Sequence, residues 1–318
     1  MNILMTGSTG LVGTALVKTL AGEGHTVYRL MRPGSKTNEA TANRVFDVPW
    51  EPSTGKIGGP FAGAERGTTD HGDAVINLAG ASIGGGRWTK ERKVLLRASR
   101  IDTTRALVSA VKKMSKRPQV LISASAIGYY GDRGDEVLTE SSEPGTGFLA
   151  EMAKQWEAEA VQAEALGIRV VRARFGIILA KQGGALRQMM LPFEFAIGGK
   201  LGSGRQWMSW ITLEDVVRIV RRALEDHALN GAVNVAAPEP VRNAEFTRLL
   251  ANAMHRPAIF RVPAFALRFA MGEMADALLL GSLRVAPREL EQRGYQFLHS
   301  KLDDALTAIL RSPANMVM

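Results

Sequence analysis

The chain contains no cysteine, which excludes disulfides, thiolate metal sites and cysteine nucleophiles. Long hydrophobic runs are also missing: no apolar stretch reaches the roughly 18 residues that a bilayer-spanning helix needs. Met1-Asn2-Ile3-Leu4-Met5 runs straight into a glycine turn. That leaves no room for a signal peptide, so a cytoplasmic location is expected. His25, His71, His227, His255 and His299 have no metal-ligand spacing, and no metal is expected. Internal repeats and low-complexity tracts are absent.

What is present is ordinary for a globular enzyme: 46% hydrophobic and 22% charged residues in 318 positions, enough for one large domain or two modest ones. The formal charge of +9 admits nucleic acid, an acidic membrane surface or an anionic small molecule as partner. Nucleic-acid binders concentrate basic residues in tails or stripes. Here Lys and Arg are spread along the chain, with one cluster from Arg87 to Arg100. A phosphate-rich cofactor or small substrate is therefore the expected partner, with neither nucleic acid nor membrane, and the oligomeric state is left open.

Hydrophobic periodicity gives the organisation. Asn2–Met5 reads as a strand, Leu11 to about Ala21 as a helix, and Thr26–Met31 as a second strand. Phe46–Gly72, rich in Gly and Pro, reads as mostly loop with one short strand. Asp73–Leu78 is a strand, followed by one long helix from Lys90 to Lys113 whose buried stripe is Leu95, Leu96, Ile101, Thr104, Leu107 and Val111. Gln119–Ser123, the helix Phe148–Leu166 and the strand Ile168–Ala173 complete four strand–helix alternations, which predict an α/β fold with a doubly wound parallel sheet. Beyond Phe175 the rhythm changes. Thr212–Leu224 is a helix opened by Thr212-x-x-Asp215, with Asp215 expected only as its cap. Val233–Ala236 is a strand, and helices are expected over Ala244–Met254, Phe265–Leu280 and Lys301–Ile309. Residues 1–176 are assigned to a Rossmann domain and 177–318 to a smaller mixed α/β substrate-binding domain, with exchange of segments between them allowed.

Gly7-x-x-Gly10-x-x-Gly13 stands directly between a strand and a helix, the context that marks a dinucleotide fingerprint. Gly7 allows the tight turn, Gly10 lets backbone approach a pyrophosphate, and Gly13 lets helix and strand pack closely. The helix start, carrying Thr9, Leu11 and Val12 around these glycines, presents free N–H groups and a partial positive charge to the phosphates. Cofactor choice is read at the end of the second strand. An NAD site places Asp or Glu there, whereas this chain has Met31-Arg32 and no acid until Glu39. A guanidinium pairs with a 2′-phosphate that a carboxylate would repel. NADP(H) is the expected cofactor.

Thr6-Gly7-Ser8-Thr9-Gly10-Leu11-Val12-Gly13, Asn77-Leu78-Ala79-Gly80 and Ser123-Ala124-Ser125-Ala126 resemble the extended and atypical short-chain dehydrogenase/reductase superfamily. Arg87-Trp88-Thr89, Ser99-Arg100-Ile101-Asp102-Thr103-Thr104, Gly128-Tyr129-Tyr130-Gly131-Asp132 and the run from Gly202 to Ile211 are similar to one branch of it, the epimerase family often named sugar-nucleotide epimerase. From about Asn243 onward the chain is similar to that branch's small C-terminal domain. The resemblance implies that Leu78 and Ala79 line the adenosine side of the cofactor through backbone atoms, with Gly80 also cofactor-binding, and it places Ile178 near the nicotinamide. Arg100 stands where many relatives carry asparagine beside the cofactor. Lys93, Arg97 and Arg100 share one helix face; Arg100 is expected to turn to the cofactor and Lys93 to solvent.

The superfamily's usual chemistry needs a tyrosine and a lysine one helical turn apart, the lysine lowering the phenol's pKa. No Tyr-x-x-x-Lys occurs in this chain, and Phe148 occupies the approximate tyrosine position. Tyr129 and Tyr130, in the loop after Ser125, are the substitute acid–base candidates, with Ser125 as hydrogen-bond partner and Lys154 near the usual lysine register. Arg205 is placed to clamp a phosphate or carboxylate of the substrate and Trp207 to stack on a ring. The expected activity is an NADP(H)-dependent oxidoreductase or epimerase acting on a small anionic or sugar-like substrate. The alternative is a cofactor-binding sensor with little or no catalysis.

Overall fold

Short apolar runs separated by helices must pair as parallel strands, because each helical crossover returns the chain to the same end of the sheet. A computed structural model, which describes residues 1–34, 43–61 and 72–311, realises this arrangement. Strand β1 (Asn2–Thr6) leads to helix α1 (Leu11–Gly22) and β2 (Thr26–Met31), then to β3 (Val45–Glu51) and β4 (Ala74–Asn77). Helices α2 (Lys90–Ala98) and α3 (Ile101–Lys112) connect to β5 (Val120–Ala126), and α4 (Phe148–Val161) to β6 (Arg169–Phe175). Helix α5 (Gly184–Glu194) and α6 (Leu213–Glu225) precede β7 (Gly231–Val235), and α7 (Asn243–Met254), α8 (Ala264–Met271) and α9 (Leu302–Arg311) follow.

The seven strands pair in parallel in the order β7-β6-β5-β4-β1-β2-β3, and Lys56–Ile57 adds an antiparallel edge to β3. The order reverses at β1, so a crevice opens outside the carboxyl ends of β1 and β4, where such sheets hold their ligands. One face of the sheet is covered by Leu16 and Leu20 of α1 with Val216, Val220 and Leu224 of α6. Leu107 and Val111 of α3 and Ala160 of α4 cover the other face. A third core joins α5, α7 and α9 around Trp210.

Three expectations are corrected. The stretch after Phe46 holds a seven-residue strand, β3, since Val45, Val48 and Trp50 all turn into the core; its Pro49 is tolerated near the sheet edge, where a missing donor costs least. The single helix expected over 90–113 is broken at Ser99–Arg100, where the Arg100 side chain turns back to bond Leu96 O and Ala81 O. The break leaves Leu95 exposed instead of on the buried stripe. The helix expected over 265–280 is interrupted at Gly272, which takes a positive φ of 62°, and helical turns resume over 273–280. The exchange of segments allowed between the two regions is where α6 and β7 lie: from beyond residue 176, α6 packs on the first sheet and β7 pairs along β6. Among the described residues, no helix is long and apolar enough to cross a membrane.

Candidate cofactor and active site

The turn after β1 is built by two glycines that the fold itself requires. Gly7 has φ of 68°, and a Cβ there would lie 2.5 Å from the Leu78 carbonyl. A Cβ on Gly13 would lie 2.2 Å from the Gly7 oxygen. Gly10 differs. Its φ is −79°, and an added Cβ would meet only the Gly7 oxygen, at 3.4 Å. Among the described residues no contact explains a glycine there, but close approach of a ligand would. Helix α1 begins without a side-chain cap, so its first N–H groups are available to an anion. Thr9 and Gly10 are exposed, and Leu11 and Val12 are half-buried. The Leu11 side chain lies against the backbone at Gly183 and Gly184. Ile178 sits just before that segment, in a short strand paired with Trp210–Thr212.

Met31 at the end of β2 meets the Ser8 hydroxyl, with 3.7 Å between Sδ and Oγ. Arg32 is exposed immediately beyond it. Below the crevice, Asn77 ties the sheet to the helices: its Oδ1 accepts from Thr6 at 2.7 Å, and its amide donates to Thr104 at 2.8 Å and Ser123 at 3.2 Å. Trp156 also donates to Thr104, at 3.0 Å. Leu78 and Ala79 follow, half-buried, with Gly80 exposed.

The Arg100 guanidinium covers Gly80, about where a side chain would otherwise stand. Only 8% of Arg100 is exposed, yet its partners are neutral oxygens: Leu96 O at 3.2 Å, Ser99 Oγ at 3.4 Å and Ala81 O at 2.9 Å. Burial, with Arg92 nearby, pulls its pKa down to about 10. Burying a cation without a counter-charge is costly, so a bound anion at this edge of the crevice would be welcome. The uncapped helix start, the open backbone at Gly10 and this cation therefore fit a dinucleotide's diphosphate. Lys93, expected to face solvent, is instead ion-paired with Glu273 and lies over the Phe148 ring at 5.0 Å. Arg97 covers the same ring at 5.4 Å and bonds Gln155, and Trp88 meets it edge-on at 5.1 Å.

The acid–base candidates separate into three environments. Ser125 is buried and donates to Glu157 Oε1 at 2.6 Å. Glu157, itself buried, is gripped by Arg174 at 2.7 and 2.9 Å and by Arg172 at 3.2 Å. Tyr130 belongs to the same network: its hydroxyl donates to Asn234 Oδ1 at 2.7 Å and accepts from Arg174 at 2.8 Å. Burial, outweighing the neighbouring Arg174, pushes this phenol up to about 12. Tyr129 stands apart, half-buried, with Arg174 Cζ 3.6 Å from its ring centroid. Its hydroxyl has no hydrogen-bond partner among the described residues. Lys154 is exposed on α4, outside the network, while Met152 and Ala153 face the core.

On the opposite wall Arg205 is exposed, and its carbonyl accepts from Arg242. Trp207 donates to Asp135 at 2.7 Å and carries Arg242 and Arg284, each 4.6 Å from its ring. A ring stacking on Trp207 would have to share it with these guanidiniums. Among the described residues, no group of three or more His, Asp or Glu side chains is placed to hold a metal ion. Sequence reasoning passed over Glu157, Arg174 and Asn234. For Glu157 the available signal was a charge among the inward apolar positions of α4; Arg174 is one of three arginines in β6, and nothing local marked it out.

Comparison with known proteins gives concordant matches. The model of the NAD dependent epimerase/dehydratase family matches residues 3–236, and a domain of unknown function, DUF1731, matches residues 262–309. An epimerase family protein of Mycobacterium bovis is 42% identical over 304 residues, covering 96% of both chains. Epimerase family protein YfhF of Bacillus subtilis is 39% identical over 98% of both. Among solved structures, human epimerase family protein SDR39U1 with NADPH has a TM-score of 0.84 and 28% identity, covering 98% of this chain and 100% of that one. A nucleoside-diphosphate sugar epimerase from Corynebacterium glutamicum has a TM-score of 0.75 and 33% identity, covering 98% of this chain but 58% of that one.

Proposed function

The chain belongs to the NAD dependent epimerase/dehydratase family, and from that premise we propose that it is a cytoplasmic NADP(H)-dependent oxidoreductase or epimerase acting on a small anionic or sugar-like substrate. The observation that carries the reading is Arg100, a buried cation with no carboxylate partner among the described residues, lying against Gly80 in the loop whose Leu78 carbonyl packs on Gly7 before the uncapped start of α1. A diphosphate between them satisfies the helix N–H groups and supplies the missing counter-charge. Gly7, Thr9, Gly10, Leu11, Val12 and Gly13 form its cradle. Leu78, Ala79 and Gly80 flank the adenosine, and Ile178 flanks the nicotinamide.

Arg32 carries the preference for NADP(H), since an exposed guanidinium beyond Met31 suits a 2′-phosphate. The human relative's NADPH accords with this. Distant enzymes with NAD, 14 to 16% identical, share the fold. The bound nucleotide supplies or accepts a hydride. The chain itself must orient the substrate and move a proton. Tyr129 has the one unengaged phenol near Ser125. The Glu157–Arg174 pair holds its ring, and Arg205 meets the substrate's anionic group. Tyr130 and Ser125 hold this arrangement in place, while Lys154 is exposed on α4.

A sensor without turnover is the second reading, favoured by Phe148 at the tyrosine position and by the engaged hydroxyl of Tyr130. One set of measurements separates the readings. Fluorescence titration should give saturable NADPH binding that Arg32→Ala weakens by roughly 10- to 100-fold, the loss of a charge-assisted pair, with NADH affinity unchanged. An unchanged ratio leaves the cofactor preference unsupported. With NADPH and a panel of carbonyl compounds, turnover abolished by Tyr129→Phe supports the enzyme. Tight binding without turnover on any compound supports the sensor.

A further inference from the structure

The stretch from Gly272 to Ser282 joins α2 to the opposite wall, the one that carries Trp207. At the wall it is held by several bonds. Ser282 N donates to Asp132 at 3.2 Å, and its hydroxyl donates to Gly134 O at 2.6 Å and accepts from Trp207 N at 3.1 Å. Leu279 O accepts from Gln206 at 2.9 Å. The other end is held more lightly. Glu273 pairs with Lys93 of α2, and Arg87 lies 3.8 Å from where a Gly272 side chain would begin. Among the described residues, the Glu273 pair is the one polar link from residues 272–278 to anything outside 264–281.

The backbone here suits a piece that moves. Gly272 has φ of 62° and ψ of −142°, a conformation that residues other than glycine rarely adopt. Asp276–Leu280 is a π-helical turn, closed by Gly281 N on Asp276 O at 2.8 Å; such turns are rare and occur mostly at functional sites. Met274 and Ala275 are buried, yet neither belongs to an apolar core of the chain. Lys93 lies over the Phe148 ring with Arg97 over the same ring. From Arg87 to Arg100 there are six basic residues and one acid, Glu91, so the counter-charge for Lys93 has to come from the distant Glu273.

We propose that residues 272–282 form a strap across the mouth of the crevice and that the Lys93–Glu273 pair latches it, setting how fast the nucleotide enters and leaves. The strap rests on the cofactor reading above, since the nucleotide is what it encloses. The paired side chains are 29% and 51% exposed, and a pair so open to water is weak enough to break often. A latch slows entry and release by the same factor and leaves Kd alone, whereas a lost cofactor contact changes release and with it Kd.

Stopped-flow NADPH fluorescence on the full chain, with amide exchange on the nucleotide-free chain, tests the proposal. Lys93→Met and Glu273→Gln should each speed entry and release by roughly 2- to 5-fold, the worth of such a pair, with little change in Kd. The double variant should be no faster than either single one, because each already breaks the same pair. Exchange over 272–278 should quicken in all three. The two single variants change the net charge in opposite directions, so a mere change in electrostatic steering would move entry in opposite directions. Val94→Ser, at an exposed neighbour on α2, should change nothing. Release at the parent rate overturns the proposal, and so do opposite effects of the two single variants or unchanged exchange over 272–278. Weaker NADPH binding in Lys93→Met through faster release alone overturns it too, making Lys93 a cofactor contact. A parent chain that binds no NADPH sinks the cofactor reading instead, and the exchange rates then decide the latch by themselves.

Discussion

Gly10 and Gly13 stand three residues apart on one turn and answer to different demands. Gly13 serves the fold, because its missing side chain is where the Gly7 carbonyl passes. Gly10 has an unremarkable backbone conformation and open space around it. Gly13→Ala should therefore cost roughly 1–3 kcal/mol of stability, as overpacking does, and be visible as a lowered melting temperature. Gly10→Ala should melt like the parent and lose NADPH affinity in a fluorescence titration. If both variants melt alike and bind alike, the distinction fails. Single residues also show where sequence reading stops. The glycine spacing and the place of Arg32 just beyond β2 were legible, since both depend on position along the chain. The burial of Ser125 was not, because its partner Glu157 comes from another element, 32 residues on.

At the level of elements, ends and breaks were harder to read than helices and strands themselves. Helix α6 was visible with its Thr212 cap, and the Thr212 side chain does accept from Asp215 N at 3.1 Å. Asp215 proves to be more than a cap. Its fully buried carboxylate also accepts from Tyr295 at 3.1 Å, Leu298 N at 3.0 Å and His299 N at 3.3 Å, fastening the chain before α9 to the start of α6. Burial and the Asp215 charge together push the Tyr295 phenol well above its ordinary value, keeping it a neutral donor. Thr212→Ala should cost ~1 kcal/mol, an ordinary cap loss. Asp215→Asn should cost about 2–3 kcal/mol, because an amide replaces one acceptor oxygen and faces backbone donors. It should also speed amide exchange over 295–299. Equal costs for the two variants would reduce Asp215 to a cap. The break between α2 and α3 had no local signal: Ser99 and Arg100 are acceptable helix residues, and tertiary bonds to the loop at Ala81 end the helix there.

For the whole molecule, the boundary expected at residue 176 came with exchange of segments allowed, and α6 and β7 are the segments that cross it. A chain ending there would expose the edge of β6 and the apolar residues that α6 and β7 cover. Such a fragment should aggregate or melt without cooperativity, while the full chain melts cooperatively in calorimetry; a monomeric, cooperatively melting 1–176 would show that the return of β7 is dispensable. The sequence by itself determined the parallel doubly wound sheet, the dinucleotide turn and the lack of Tyr-x-x-x-Lys, because periodicity, glycine spacing and residue identity are local properties. Only the tertiary structure decided that Arg100 is buried without a counter-charge, that Tyr130 and Ser125 are held by Arg174 and Glu157, and that Lys93 is paired with Glu273. Burial and hydrogen bonding depend on which distant segments meet, and local spacing carries no record of that.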